Sequence, residues 1–360
     1  MLRLQLYILR RLCASLVLAA IVLSTILFVL QTVRLLDRMR DVGVEFIGGF
    51  LPLFLPVTLA LTLPLAFLIA AVLTYGRLAE DNEVLAMRMA GIHTWAVVVP
   101  GVFAGAVVSF AGLWLQGEAA PEAMAGQDAL RRDVFRLFVE IVERGEKSSF
   151  ANGDFRISWE GVEDGALADL RISRGGSGSS GAQEIHARRA VLQRDATGET
   201  LVFSLRDFLI VSRQGGSVKT SRGEENTIAV PASELLSVRG TVAKVRSLRY
   251  DELLFRMFTL PPGSDRRIDV EREIFWRISL GLAPLGFALC GIPLALLVGK
   301  GSRAAATVLA FGVAVLYFVL LQVGNNLVNA HHAPVAPAML GGNIVLLGLG
   351  GILLRKAARR

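Results

Sequence analysis

LCASLVLAAIVLSTILFVLQTV, residues 12–33, runs for 22 residues without a charged side chain. At about 1.5 Å of rise per residue it makes roughly 33 Å of helix, enough to cross a hydrocarbon core of about 30 Å. Further uncharged runs cover 46–76, 89–117, 278–299 and 304–354. The last holds 51 residues, too many for one crossing. Asn325-Asn326, then His331-His332 with Pro334 and Pro337, divide it into helices over about 304–325 and 336–354. Six spans result. With 53% hydrophobic and 19% charged residues and a mean hydropathy of +0.54, the 360-residue chain is too apolar for a soluble domain. Arg10-Arg11 before the first run resemble the start of a signal peptide. The run is longer than a typical signal core and no A-x-A-like site precedes Arg34, which favours an uncleaved anchor.

Charge orients the spans. Residues 118–277 carry 24 basic and 25 acidic side chains; the remainder carries 14 and 6, so the net +7 belongs to the membrane part and requires no nucleic acid. With the N-terminus inside, the inner segments hold Arg3, Arg10, Arg11, Arg77, Arg88, Lys300, Arg303, Arg355, Lys356, Arg359 and Arg360. The short outer loops hold only Arg34, Arg38 and Arg40. Both termini are therefore expected in the cytoplasm and the long polar region outside. Cys13 and Cys290 both fall in spans, which leaves the outer region without a disulfide framework.

That outer region reads as β-rich. Short runs such as DFRISW, ADLRIS, EIHARRAVLQ, ETLVFSL, DFLIVS and NTIAV alternate with turn signals at Asn152-Gly153, Asp164-Gly165, Thr197-Gly198 and Gln214-Gly215-Gly216. An antiparallel sheet in a sandwich or open roll is expected, with GGSGSSG (175–181) as a loop. Stretches at about 121–145 and 247–258 read as helical connectors. The chain thus divides into 1–117 with spans one to three, 118–277 as the outer domain, and 278–360 with spans four to six and a basic tail.

Chemistry is sparse. His331-His332 are adjacent and point apart on a helix, with no acid or cysteine near in sequence, so a loop end is favoured over a metal site. Gly299-Lys300-Gly301-Ser302 matches part of a P-loop, but Leu294 stands where its first glycine belongs. No catalytic cluster and no metal site emerge.

One charged segment stands out between spans two and three: YGRLAEDNEVLAMRMAGIH, residues 75–93. A helix from about Asn82 to Ala90 places Val84 with Met87 and Leu85 with Met89 at helical spacing. Glu80, Asp81 and Glu83 lie near its N-terminal end, Arg88 sits in its last turn, and Gly91 supplies the stop. An adaptable methionine-bearing stripe suits a groove on a partner; a helix lying on lipid head groups is the alternative.

This segment resembles the coupling-helix region of the lipopolysaccharide-export ABC permeases of the LptF/LptG type, with its Gly-x-Leu, acidic turn, apolar-Met stretch and closing Gly. EREIFWRISL, residues 271–280, is similar to that family's entry into span four and leans the chain towards the F-like branch. The resemblance covers essentially the whole chain. It implies an α-helical membrane protein with six transmembrane helices and a periplasmic all-β, jellyroll-like domain between helices 3 and 4. It places the coupling helix at about 78–91, with Glu83 at the position whose glutamate docks into the ATPase. Val84, Met87, Arg88, Glu80 and Asp81 accompany it.

The resemblance further implies a bacterial inner-membrane location and a non-catalytic subunit. Its expected partners are a second homologous permease, a dimeric cytoplasmic ATPase that binds the ATP and Mg, a single-span periplasmic jellyroll protein and a periplasmic bridge protein. Arg34, Arg38 and Arg40 fall where the family places cations that meet the acidic head group of lipopolysaccharide; pairing with Asp37 or Asp41 is the alternative. Gln322, Asn325, Asn326 and Asn329 form one polar face near the outer end of span five, where the family has its lateral gate. A helix emerging into water would carry the same residues. A permease of another lipid or lipoprotein exporter, or a membrane scaffold, stands as the competing class.

Overall fold

The computed structural model describes residues 2–38, 44–144, 149–152, 155–163, 165–174, 182–194, 200–214, 217–231, 245–298 and 303–359. In chain order come α1 (Leu2–Arg38), α2 (Val44–Glu80), α3 (Glu83–Met89) and α4 (Thr94–Trp114), which a π turn, Leu115–Ala119, joins to α5 (Ala120–Arg144). Strands follow: β1 (Ser149–Asn152), β2 (Phe155–Ser158), β3 (Gly161–Glu163), β4 (Ala166–Arg174), β5 (Ala182–Arg194), β6 (Thr200–Gln214) and β7 (Ser217–Pro231). The chain closes with α6 (Tyr250–Thr259), α7 (Asp265–Val298), α8 (Arg303–Asn329) and α9 (Val335–Arg359).

Among the described residues six helical stretches are long and apolar enough to cross a membrane, three before the strands and three after, as expected of a multi-pass membrane protein. They outrun the uncharged stretches that announce them. The 37 residues of α1 make about 55 Å of helix, so its charged ends continue past the hydrocarbon border. The 175–181 loop, the P-loop-like 299–302 segment and most of the predicted turn glycines lie outside the described residues. His331-His332 form the turn between α8 and α9, with His331 at φ 56°.

The chain forms two compact units. The first comprises Met1–Val29, Phe54–Met124 and Val245–Arg360; the second comprises Leu30–Leu53 and Ala125–Lys244. In the first, α4 meets α7 through small residues. A Cβ on Gly105 would stand 2.7 Å from Ala288 Cβ, and a Cβ on Gly101 2.4 Å from Ile292 Cδ1. Ser109 Oγ accepts from the amide of Leu285, next to Pro284, at 2.9 Å. The Gly101, Gly105, Ser109 spacing is therefore a packing seam.

Two polar clusters pin α7. Asn343 of α9 donates to Ser279 Oγ (2.7 Å) and the Ser279 carbonyl (3.2 Å), and the Tyr317 hydroxyl of α8 donates to that carbonyl at 2.8 Å. In apolar surroundings these bonds lock three helices in one register. Arg277 is buried, 2% exposed. It donates through Nε to Glu273 (2.9 Å), through Nη1 to the Leu248 carbonyl (2.8 Å) and through Nη2 to the Arg246 carbonyl (2.8 Å). The segment that enters α6 is thereby tied to the start of span four. The Tyr250 ring beside it fills the slot left by Gly117 of the π turn, where a Cβ would be 2.0 Å away, and Arg249 pairs with Glu118. The Tyr250 hydroxyl is buried without a hydrogen-bond partner among the described residues, and burial pushes its pKa up, with Arg277 opposing and Glu273 reinforcing the shift.

In the second unit the strands make one antiparallel sheet in the order β1-β2-β4-β5-β6-β7, with β3 also paired to β4. Its buried face holds Leu170 and Ile172 of β4, Ile185 and Ala187 of β5, and Phe203, Leu205 and Phe208 of β6. The alternation slips in one row. Leu167 and Leu170 both face inwards, as do Ala187 with Ala190 and Leu205 with Phe208. The ladders omit the same row, Asp169, Arg188, Asp207 and Glu224. Asp169 (φ 47°) and Asp207 (φ 51°) absorb the slip in the left-handed region, which short polar side chains tolerate. A crease thus crosses four strands, and next to it a Cβ on Gly223 would meet the Phe208 ring at 2.8 Å.

Candidate functional site

Helix α3 is short because both ends are set by left-handed residues. Asn82 (φ 58°) breaks it from α2 and Gly91 (φ 80°) ends it, with Ile92 N bonded back to the Met87 carbonyl at 3.0 Å. His93 then caps α4, its Nδ1 accepting from the Trp95 amide at 3.2 Å. The helix expected from about Asn82 to Ala90 corresponds to α3, Glu83–Met89, with Asn82 and Ala90 as its flanking cap residues.

The two apolar pairs of α3 face different ways. Val84 is buried and Met87 packs against the first unit's core, whereas Leu85 and Met89 are exposed, Met89 at 83%. A surface stripe thus consists of Leu85 and Met89, not Val84 and Met87. Arg88 also turns inwards: its Nη2 donates to the Ala357 carbonyl of α9 at 3.4 Å, fastening α3 to the last helix. Glu80 and Asp81 are exposed at the preceding turn.

Glu83 is half-buried and held by α1. Arg11 Nη1 lies 3.0 Å from its Oε1, and the Tyr7 hydroxyl donates to the carboxylate at 3.1 and 3.2 Å. The Arg11 guanidinium stacks 4.4 Å above the Tyr7 ring, so the two donors brace each other. Sequence reasoning counted Arg11 only as an orienting charge and passed over Tyr7. The signal available was a tyrosine and an arginine one turn apart at the N-terminal end of span one.

The remaining candidates fall in both units. Arg34 is exposed on α1 in the second unit, Arg38 closes that helix, and Arg40 lies outside the described residues. On α8, in the first unit, Gln322 and Asn326 are exposed and Asn325 half-buried; Gln322 Nε2 donates to Asn326 Oδ1 at 3.3 Å. Asn329 accepts from Arg272 of α7, so the far end of this polar face is tied within the chain.

The family model described as "Lipopolysaccharide export system permease LptF/LptG" matches residues 6–356. The chain belongs to this family. Membership accounts for six spans with a β-sheet region between the third and fourth, and it makes the chain a permease for lipopolysaccharide export, a non-catalytic transport subunit. The matched description joins LptF and LptG, so it does not divide the F-like branch from the G-like one. No curated protein matches the sequence.

Proposed function

We propose that this LptF/LptG permease pairs with a second homologous permease and a dimeric cytoplasmic ATPase, extracts lipopolysaccharide from the inner membrane and passes it to a periplasmic β-jellyroll bridge. The ATPase binds the ATP and Mg; this chain receives its motion through α3. Both termini and α3 face the cytoplasm, in keeping with the distribution of arginine and lysine, and the sheet faces the periplasm. What carries the reading is the presentation of α3. Leu85 and Met89 project from it, the acids Glu80 and Asp81 are exposed beside them, and Glu83 is fixed at its first turn. A basic-rimmed groove with an apolar floor is the surface that complements this set.

Arg34, Arg38 and Arg40 supply guanidinium donors for the phosphates of the glycolipid, and Gln322, Asn325 and Asn326 line the gate through which it enters. The test is Glu83→Lys in the purified complex. The ATPase is expected to dissociate and lipopolysaccharide-stimulated hydrolysis to be lost. ATPase retention equal to the wild type would refute the role given to α3.

A further inference from the structure

We infer that Tyr7 and Arg11 are positioning residues that pass the displacement of α3 directly to α1, so that span one is driven by the coupling element and not only dragged by α2 and α4. The inference rests on the docking role proposed for Glu83. In sequence α3 is continuous with α2 and α4, and through those helices alone its motion would reach span one only by side-by-side packing. The structure adds a direct polar link across 72 residues of sequence: Arg11 to Glu83 at 3.0 Å, with the Tyr7 hydroxyl on both carboxylate oxygens. The link sits at the first residue of α3, next to the left-handed Asn82 where the chain bends.

Three features suit this link to transmission. Stacking of the guanidinium on the Tyr7 ring holds Arg11 in one orientation, so less side-chain freedom is lost when the ion pair forms. Ile8 and Leu12, on the turns between and beyond Tyr7 and Arg11, are fully buried in the first unit's core, so α1 cannot follow the carboxylate without moving packed side chains. Finally, Arg88 ties the other end of α3 to Ala357 of α9, giving the short helix two anchors on elements remote in sequence. A displaced Glu83 therefore pulls on α1 while Arg88 holds α9.

The pair is partly exposed, 44% for Arg11 and 28% for Glu83, which limits the coupling it can carry to about fivefold. The experiment uses the full complex in nanodiscs, with spin labels at exposed Val22 on α1 and Val107 on α4. Wild type is expected to show a nucleotide-dependent change in the label distance. Arg11→Gln is expected to shrink that change and to slow lipopolysaccharide transfer about fivefold while the ATPase stays bound; Arg11→Lys restores part of both, and Tyr7→Phe, which keeps the ring, loses less. An unaltered distance change in Arg11→Gln overturns the inference. So does an Arg11→Gln variant that releases the ATPase as Glu83→Lys does, because the contact would then belong to the docking surface. Failure of the docking role itself reads out separately, as ATPase retention by Glu83→Lys.

Discussion

Replacing Arg277 by Met removes one side chain that holds three acceptors. Met fills a similar volume but donates nothing, so Glu273 and the carbonyls of Leu248 and Arg246 lose their bonds together. A buried acceptor left without a donor costs about 1–3 kcal/mol, and breaking a buried ion pair costs about 3–5 kcal/mol. Arg246 Nε remains 3.9 Å from Glu273, and Arg246 itself is well exposed, so water and this second cation recover part of the loss. About 3 kcal/mol is the resulting figure for local opening of the segment entering α6. At about 1.4 kcal/mol per factor of ten, the opened population rises roughly 100-fold. Hydrogen exchange of the amides from Leu248 to Leu253 measures this directly, since exchange from a fast-closing segment follows the open population. The α3 and α9 amides serve as internal controls. Protection at 248–253 within about threefold of wild type would show that the three bonds do not hold this segment.

Four further outcomes follow from the packing. Tyr250→Phe removes a buried hydroxyl that has no partner among the described residues, so the variant is expected to be as stable as wild type or slightly more so in thermal unfolding. Because the folded Tyr250 pKa is raised, its contribution is intact below the ordinary tyrosine value of about 10 and is lost as pH rises through the folded pKa; Tyr250→Phe should abolish that alkaline loss of protection at 248–253. Gly105→Val forces a branched side chain against Ala288 and the Pro284 carbonyl, and should cost about 1–3 kcal/mol, read as a lower unfolding temperature in detergent. At the sheet crease Asp207→Val should cost about 1–2 kcal/mol while Asp207→Gly is tolerated, a contrast that β-sheet signal loss on heating can measure.

Much of this architecture is legible before any coordinate is known. A 22-residue uncharged run such as 12–33 has one low-energy environment, and a helix is the only way a single segment satisfies its backbone there. The strands are legible for a related reason: a half-buried sheet imposes a period of two on their residues. Helix α3 is legible from its acids, its glycine stop and its spacing. Which side of α3 faces outwards is not, because Val84, Leu85, Met87 and Met89 are equally apolar and only the packed core distinguishes them. Nor is the Arg11–Glu83 link: any of several arginines near the span ends has the right charge, and the choice is made by how α1 lies against α3. Local sequence determined the elements and their order, since hydrophobic burial and backbone hydrogen bonding act residue by residue. Tertiary structure alone decided which charges meet, because a contact between positions 11 and 83, or between Arg277 and the carbonyl of Leu248, exists only after the helices have packed.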